Sequence, residues 1–386
     1  MKPSVLDIFC GAGGMSLGFQ KAGCKILGGI DNNPHAVKTH HQNFPKCKLK
    51  LDATDIRDIE NLEDLGIDPK EVDILIGGPP CQVFSRVGIG KMKNHLKRNI
   101  EQDPRNFLYK EYIRFLRYYK PLFFIIENVD NLANKKDILE TIIKELEACG
   151  YRVEYNVLDA SDFGVPQRRL RIFIIGSRLD LGWKPIFPKS KTKIPLTVGE
   201  AISDLLELQP TAMPLKLKSS GPKQKDCELP YRSAPESGYQ RIMRRYNGDL
   251  VRNHICRAHN YEDLKIFDML KQGQKYGDLP QEVMRYRVDI FKDKYKRLIW
   301  DDLSWTLTAH MRKDCLAYIH PTQIRSISVR EAGRIQSFPD NFIFYAPMTR
   351  MFELVGNSVP PLLAESVAKP IVKKIREYYN VLSLKE

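Results

Sequence analysis

The stretch VLDIFCGAGGMSLGF, residues 5–19, joins an apolar strand-like run to a glycine cluster and then to a helical pattern. Glycines at such a turn let the backbone approach a ligand closely. The dinucleotide fingerprint G-x-G-x-x-G would require glycine at position 16, where the chain has Ser16. The triphosphate-binding loop would require lysine after Gly18, where Phe19 and Gln20 follow. The turn therefore fits neither motif.

Acidic residues follow the next strand-like runs. Asp31 comes 18 residues after Gly13 and is placed to accept hydrogen bonds from ribose hydroxyls. A glycine-rich turn, a ribose-binding acid and no phosphate-binding lysine predict a nucleoside cofactor without phosphates, and S-adenosylmethionine fits this description. Either Asp52 or Asp55 could accept a hydrogen bond from an adenine amino group. We favour Asp55, because Ile59 beyond it would pack against the adenine ring.

Strand-like and helix-like segments alternate along residues 1–182. Further strands are predicted at 26–30, 72–76, 122–126, 153–158 and 171–175, and helices at 15–22, 106–119, 138–148, 329–336 and 362–379. The alternation predicts an α/β fold, with a mainly parallel Rossmann-like sheet and helices on both of its faces. Ligands of such sheets bind beyond the carboxyl ends of the strands. The glycine cluster, Asp31, Cys81 and Glu127 each follow a predicted strand at that end.

Cys81 lies in GGPPCQ, residues 77–82, on a loop stiffened by prolines rather than inside an apolar run. A nucleophilic cysteine must be a thiolate, which requires a positive charge or a base nearby. No histidine is close in the sequence, but the arginines of QRRLR, residues 167–171, could supply the charge. This combination argues against a Cys–His hydrolase and favours a thiol that is activated by arginine and by its substrate.

Glu127 ends a strongly apolar run, so its carboxyl is expected to be partly buried. Burial raises the pKa of a carboxyl toward general-acid use. Arg169 and Arg171 alternate with their neighbours at the start of a strand and therefore face the same way. A purely structural ion pair between Glu127 and Arg169 is the alternative, but the nearby Cys81 motif favours a function.

These groups suit one reaction. A thiolate adds to C6 of a cytosine while an acid binds or protonates N3, and C5 then takes a methyl group from the sulfonium cofactor. Loss of the C5 proton then breaks the bond between the thiol sulfur and C6 and releases the enzyme. A base stacked in a duplex is out of reach, so the reaction requires that the base be flipped into the pocket.

The chain is basic, with 61 Lys and Arg against 47 Asp and Glu. Residues 183–324 hold 25 basic and 17 acidic side chains, and their prolines break up long helices. A basic surplus favours polyanionic partners, because binding to phosphates releases counterions. We predict a catalytic, cofactor-binding domain formed by residues 1–182 and 345–386, and a smaller irregular domain with a basic surface formed by residues 183–344.

Composition excludes several other classes. No apolar run approaches about 18 residues, so no membrane association is predicted. The first residues lack the apolar segment and cleavage site of a signal peptide, so a cytoplasmic protein is expected. No two of the eight cysteines are closer than 14 residues, which excludes a C-x-x-C metal clip and argues against a dense disulfide framework. We therefore expect reduced thiols and no metal.

In order along the chain, six motifs resemble those of the DNA (cytosine-5)-methyltransferases. They are DIFCGAGGMSLGF at 7–19, GGPPCQVFSRVG at 77–88, ENV at 127–129, QRRLRIFIIG at 167–176, SVREAGRIQSFPDNF at 328–342 and GNSVPPLLAESVA at 356–368. Six ordered blocks spread over nearly the whole chain make the likeness highly specific. The core of 183–324 is unmatched, and this is where the family has its variable target-recognition region.

The resemblance implies roles for individual residues. Cys81 would be the nucleophile and Glu127 the residue on N3, with Arg169 and Arg171 supporting the substrate and Glu127. The implied cofactor-binding residues are Phe9, Gly11, Gly13, Asp31, Asp55, Asn357 and Ser358, with Pro80 shaping the cofactor and nucleophile loops. Many family members have glycine before the matched Asp-Ile, where this chain has Thr54, so the choice between Asp55 and Asp52 stays open. The loop 83–102 resembles the segment that closes over flipped DNA.

The resemblance implies methylation of cytosine C5 within a specific double-stranded DNA sequence, with S-adenosylmethionine as cofactor. The expected setting is a restriction-modification system, with a monomeric enzyme and a separately acting endonuclease. Side chains from about 230–315 would read the sequence in the major groove. One alternative is a tRNA methyltransferase, although the Cys-Phe-Thr of some tRNA-specific members is missing. The other is an inactive DNA-binding homologue, against which Cys81, Glu127 and the arginine pair argue.

Overall fold

A computed structural model describes residues 1–80, 108–190, 194–209, 212–213, 228–284 and 294–384 of the 386-residue chain. The chain forms two compact units. The first comprises Met1–Phe163, Arg169–Lys191 and Ser358–Glu386, and the second comprises Gly164–Arg168 and Thr192–Asn357. The assignment of catalysis to 1–182 and 345–386, and of target recognition to 183–344, stays a prediction. Among the described residues, no helix is both long enough and apolar enough to cross a membrane.

A six-stranded sheet lies at the centre of the first unit, in the order β2-β1-β3-β4-β6-β5. Strands β1 to β4 pair in parallel, whereas β6 pairs antiparallel with both β4 and β5. All six predicted strands are present, and the α/β class with a mainly parallel sheet is confirmed. The strands are β1 (Ser4–Ile8), β2 (Lys25–Ile30), β3 (Ile74–Gly77), β4 (Phe123–Val129), β5 (Tyr151–Asp159) and β6 (Leu170–Arg178).

The central strands are apolar without alternation because both of their faces are buried. Every residue of β1 and of β3 is buried, and parallel strands that are covered on both faces carry continuous apolar runs. Strand β5, at the edge of the sheet, instead begins with alternating buried and exposed residues. The sequence pattern therefore distinguishes the centre of the sheet from its edge.

Ten helices are described in the two units. They are α1 (Gly14–Lys21), α2 (Pro34–Asn43), α3 (Leu108–Tyr119), α4 (Lys136–Glu147), α5 (Val198–Ile202), α6 (Gly238–Arg244), α7 (Tyr261–Met269), α8 (Val329–Ile335), α9 (Met348–Asn357) and α10 (Pro361–Ser383). Helix α2 begins three residues after Asp31, where the Asn33 side chain accepts a hydrogen bond from the His35 amide and Pro34 occupies the first turn. Helix α3 is fixed to the sheet by Tyr112, whose hydroxyl donates to the carbonyl oxygens of Leu75 and Ile125.

The second unit consists of short elements and loops. Its helices α5 to α9 have at most ten residues in the described ranges, and its strands are the two-residue segments β7 (Ala212–Met213), β8 (Leu229–Pro230), β9 (Leu250–Val251) and β10 (His259–Asn260). Buried ion pairs connect these elements. Arg334 contacts Asp204 at 3.2 Å and Asp340 at 2.6 Å, and Arg325 contacts Glu331 at 2.7 Å. Such pairs tolerate burial because each charge is matched and hydrogen-bonded.

Helix α1 packs closely against α10 through glycines. A Cβ atom at Gly18 would lie 2.4 Å from the Ala364 Cβ, and one at Gly14 would lie 2.2 Å from the Val359 carbonyl oxygen. Both separations are shorter than atoms allow, so neither position has room for a side chain. The glycines of the first motif therefore serve helix packing as well as the turn before α1.

The close contact between α1 and α10 yields a stability prediction. Gly18→Ala should lower the free energy of unfolding by about 2 kcal/mol, because overpacking a close contact typically costs 1–3 kcal/mol. Gly248→Ala is the matched control, since a Cβ there would meet no atom within 4 Å. Urea denaturation followed by circular dichroism measures both variants, and equal stabilities would contradict the predicted packing constraint.

Candidate active site

The glycine turn between β1 and α1 has an unusual backbone. Phe9, Gly11 and Gly13 have φ angles of 60°, 53° and 96°, in the left-handed region that glycine adopts most readily. The Gly11 amide donates to the Asp31 carboxylate at 2.9 Å. A Cβ atom at Gly11 would meet no atom of the described residues within 4 Å, so this glycine borders open space in that part of the chain. The structure therefore places the turn that contains Phe9, Gly11 and Gly13 beside Asp31.

Asp31 is held rigidly beyond the end of β2. Its carboxylate accepts hydrogen bonds from the amides of Gly11 and Asn33, at 2.9 Å and 2.8 Å. Burial raises the pKa of Asp31, while these amide hydrogen bonds oppose part of the increase. The Asp31 carbonyl accepts from the Thr54 amide at 3.0 Å, so the segment with Asp52 and Asp55 lies beside Asp31.

The two candidate adenine-binding acids differ in their surroundings. Asp55 accepts three hydrogen bonds from Arg57, from its backbone amide at 3.0 Å and from its guanidinium at 2.9 Å and 2.7 Å. Hydrogen bonding by the Arg57 side chain lowers the pKa of Asp55 to about 2. Asp52 is exposed. Asp55 is thus a carboxylate that Arg57 holds in place.

The loop after β3 leads toward the predicted nucleophile. The Asn128 side chain donates to the Pro79 carbonyl at 2.9 Å, which fixes the loop to β4. A Cβ atom at Gly78 would lie 3.2 Å from a Glu127 carboxylate oxygen, so glycine lets the loop pass close to that carboxylate. Pro80 is exposed and is the last residue described before Cys81, which lies outside the described residues, as does the loop 83–102.

Glu127 and Arg171 form an ion pair. The Glu127 Oε1 atom lies 3.0 Å from the Arg171 Nε atom, and the two side chains are 12% and 13% exposed. Burial raises the pKa of Glu127, and the positive charges of Arg171 and Arg169 oppose part of the increase. A carboxyl in this environment can hold a proton more readily than one in water, as a general acid must.

Glu127 lies within β4 rather than just beyond it, which differs from the predicted strand 122–126. The parallel pairing with β3 stops at Ile126, opposite Gly77. Pairing with the antiparallel β6 extends β4 through Val129, which lies opposite Arg171. Glu127 and Arg171 are therefore diagonal neighbours on one face of this strand pair, close enough for long side chains to meet.

Arg169 and Ser358 are joined although they are far apart in sequence. The Arg169 side chain is 1% exposed and donates to the Ser358 carbonyl at 3.0 Å. Ser358 is also close to the glycine turn, because a Cβ atom at Gly14 would lie 3.3 Å from its Cβ. Asn357 is the last residue of α9 and belongs to the second unit.

The ENV motif at 127–129 contains Asn128, for which the sequence alone indicates no role. Its amide fixes the Pro79 carbonyl, and its side-chain oxygen accepts from the Val129 amide at 2.9 Å. An amide side chain one residue after a buried acid, at the end of an apolar strand, is the signal that could have identified it. Asn128 therefore shapes the loop that leads to Cys81.

The turn at Gln167 and Arg168 belongs to the second unit. The Arg168 amide donates to the Ser304 carbonyl at 2.8 Å, and the Thr306 hydroxyl donates to the Arg168 carbonyl at 2.7 Å. The buried Gln167 side chain accepts from the Leu307 amide at 2.8 Å. The exposed Arg168 side chain therefore projects from a turn that is fixed to residues 304–307.

Comparison with known proteins identifies the family. A family profile described as C-5 cytosine-specific DNA methylase matches residues 4–373. The chain belongs to this family. Type II methyltransferase M1.HphI of Haemophilus parahaemolyticus is 35% identical over 376 residues, covering 97% of this chain and 87% of that protein. Type II methyltransferase M.AgeI of Thalassovita gelatinovora is 32% identical over 440 residues, covering 95% and 98%.

A solved structure supports the same assignment. It is that of a candidate DNA modification methyltransferase encoded within an E. coli prophage, with a TM-score of 0.76 and 26% sequence identity, covering 97% of this chain and 100% of that one. The chain is therefore a DNA (cytosine-5)-methyltransferase, and its curated relatives are type II enzymes. The family expected from the six sequence motifs is confirmed.

The ion pair yields a prediction for the methyltransferase. Arg171→Met should lower the free energy of unfolding by about 3 kcal/mol at about pH 8, because it leaves a buried carboxylate without its partner. The loss should be smaller at about pH 5. A raised pKa means that the folded chain holds the Glu127 proton more tightly than the unfolded chain, so this contribution favours folding at low pH and is lost as the pH rises through the raised value.

The control for Arg171→Met is the double variant Glu127→Gln/Arg171→Met. Removing the carboxylate charge should restore part of the lost stability, since no uncompensated charge remains. Urea denaturation at both pH values measures the two variants. A double variant less stable than Arg171→Met would contradict the electrostatic account.

Proposed function

We propose that this methyltransferase transfers a methyl group from S-adenosylmethionine to C5 of a cytosine that is flipped out of a specific double-stranded DNA sequence. Cys81 is the nucleophile, Glu127 acts on N3, and Arg169 and Arg171 support Glu127 and the substrate. The observation that carries the proposal is the largely buried Glu127–Arg171 pair beside the loop Gly78–Pro80, which leads directly into Cys81.

The residues on the cofactor side fit S-adenosylmethionine. The open side of Gly11 and the fixed carboxylate of Asp31 offer space and hydrogen-bond acceptors for a nucleoside. Asp55 lies on the neighbouring segment and would accept from the adenine amino group, while Phe9, Gly13, Pro80, Asn357 and Ser358 complete the predicted set. S-adenosylmethionine, when bound, supplies an electrophilic methyl group.

On the substrate side, the Cys81 thiolate adds to C6 of the cytosine and opens the C5–C6 double bond. Glu127 holds a proton at N3, which stabilises the electron pair that develops toward C5. C5 then takes the methyl group as the carbon–sulfur bond of the sulfonium breaks, with the bonding electron pair left on sulfur. The N3 proton returns to Glu127. Transfer of the C5 proton to solvent water leaves its electron pair in the re-formed C5–C6 double bond and expels Cys81 as a thiolate. Arg171 fixes the Glu127 carboxyl during these steps, while Arg169 anchors the Ser358 backbone.

The second unit is proposed to recognise DNA. Residues 183–324 carry a surplus of eight basic side chains, which favours contact with phosphates. Side chains from about 230–315 would read base edges in the major groove. Flipping is required because C6 of a stacked cytosine is inaccessible to a thiolate. The loop 83–102 would close over the flipped base.

The type II relatives support a restriction-modification setting. We propose a cytoplasmic monomer that protects DNA from a separately acting endonuclease of the same specificity. A monomer suits an enzyme that acts separately from the endonuclease, because each strand of a site can be methylated in an independent encounter.

Label transfer tests the proposal. The enzyme is incubated with S-adenosylmethionine tritiated in the methyl group and either unmethylated double-stranded DNA or total tRNA, and methylated positions are then sequenced. We expect label in DNA, as 5-methylcytosine within one short sequence. Label in tRNA alone would overturn the DNA substrate, and cofactor binding without transfer to either would favour the inactive DNA-binding homologue.

Variants within the same assay test the nucleophile. Cys81→Ser should retain cofactor and DNA binding but lose transfer by more than about a thousandfold, because a neutral hydroxyl is a far weaker nucleophile than a thiolate. DNA with 5-fluorocytosine should trap the unaltered enzyme covalently. The last step removes a proton from C5, and a base cannot remove fluorine from that position. Cys149→Ser, at a half-buried cysteine of the first unit, is the control. Trapping of Cys81→Ser would refute the assignment.

A pair of substitutions decides between the two adenine-binding candidates. Asp55→Asn should weaken S-adenosylmethionine binding about tenfold, as expected for the loss of ~1.4 kcal/mol, because it removes a fixed acceptor. Asp52→Asn should leave binding unchanged. Isothermal titration calorimetry measures both dissociation constants, and the reverse pattern would transfer the role to Asp52.

A further inference from the structure

A buried hydrogen-bond network lies beneath the glycine turn and includes Ser16, the residue that replaces glycine in the dinucleotide fingerprint. We propose that the Ser16 hydroxyl is a positioning group for cofactor binding, because it joins Asp7 of β1 to His40 of α2 and thereby fixes the turn between them. All three side chains are 0% exposed. This inference rests on the proposed use of S-adenosylmethionine.

The geometry of the network is well defined. The Ser16 hydroxyl donates to a carboxylate oxygen of Asp7 at 2.6 Å, and the same oxygen of Ser16 lies 3.1 Å from the His40 Nε2 atom. Asp7 lies on β1 just before the turn, Ser16 lies on α1 just after it, and His40 lies on α2. One hydroxyl thus connects three elements around the glycine turn.

The direction of the hydrogen bonds follows from proton counting. A hydroxyl has one proton, and Ser16 donates it to Asp7, so Nε2 of His40 must be the donor to Ser16. Burial lowers the pKa of His40 to about 3, so the ring is neutral and carries its proton on Nε2. Burial raises the pKa of Asp7 to about 7, and the Ser16 hydrogen bond opposes part of that increase. Ser16 is therefore the shared partner on which both groups depend.

The His40 ring also packs against the turn itself. A Cβ atom at Gly13 would lie 3.0 Å from the ring atom Cδ2, and one at Gly29 would lie 2.7 Å from the ring atoms Cε1 and Nε2. Together with Phe44, whose ring would lie 2.6 Å from a Cβ atom at Gly13, the His40 ring therefore occupies the space beside the turn and β2. A hydrogen bond that fixes the ring also fixes the path of the turn.

The network and the proposed cofactor contacts share the same backbone. Gly11 of the turn donates to Asp31, and Asp31 stands two residues before Asn33, the residue that caps α2. Ser16 and His40 set the position of α1 and α2, the helices that follow these two segments. Loss of the network should thus change cofactor affinity while leaving the chemistry at Glu127 intact.

The primary test compares two serines that each donate to a buried aspartate. Ser16→Ala should raise the dissociation constant and the KM for S-adenosylmethionine about tenfold, with kcat at saturating cofactor and KM for DNA within about twofold of the unaltered enzyme. Ser4→Ala is the matched control, because Ser4 also donates to a buried aspartate, Asp73, at 3.0 Å, but at the opposite end of β1. Ser4→Ala should leave cofactor affinity unchanged, although it should lower the free energy of unfolding as Ser16→Ala does.

Two substitutions of His40 test the same inference if Ser16→Ala does not fold. His40→Gln places an amide donor where Nε2 stands and should retain cofactor affinity within about threefold, whereas His40→Leu removes the donor and should lose about tenfold. Unchanged affinity in Ser16→Ala and His40→Leu would overturn the inference, as would equal weakening by Ser4→Ala. An unaltered enzyme that binds no S-adenosylmethionine would instead overturn the proposed function, and with it this role.

Discussion

The site depends on the reversed direction of β6. Because β6 runs antiparallel to β4, its first residues lie at the carboxyl end of β4, and Arg171 comes opposite Val129. In an all-parallel sheet the start of this strand would lie at the opposite edge, about 20–30 Å away for strands of this length. A single reversal of strand direction thus brings a guanidinium to the edge where the glycine turn, Asp31 and Glu127 are found. The ion pair with Arg171 offsets part of the free-energy cost of burying the Glu127 carboxylate, which is largely shielded from solvent.

The two sides of the site differ in charge. The side proposed for the cofactor carries Asp31, whose carboxylate accepts hydrogen bonds from the Gly11 and Asn33 amides, and such hydrogen bonds favour its charged form. The side proposed for the base carries Glu127 with the arginines at 169 and 171. A positively charged sulfonium compound would be attracted to the first side, and a polyanion to the second. This division would let one pocket accept two ligands of opposite charge without direct competition between them.

The sequence was sufficient to predict most of the fold but only part of the site. The six strands could be predicted because strands covered on both faces carry continuous apolar runs. The position of Glu127 within β4 could not, because it depends on pairing with β6, some 45 residues later in the chain. Likewise, the hydrogen bond from the Arg169 side chain to the Ser358 carbonyl joins residues 189 positions apart, and no local pattern indicates it. Ser16 was noted only as a mismatch to a fingerprint, since hydrogen bonds to Asp7 and His40 leave no local pattern.

The path of the chain between the two units has an evolutionary consequence. Residues 192–357 form one continuous stretch of the second unit, with 1–163, 169–191 and 358–386 belonging to the first. Recombination at two points could therefore exchange nearly the whole second unit as a cassette and leave the six strands untouched. The short turn Gly164–Arg168 would remain behind as an adapter that each new cassette must fit, through backbone contacts like those of Arg168 with Ser304 and Thr306. If the second unit recognises DNA as proposed, selection for new specificities would act on the cassette.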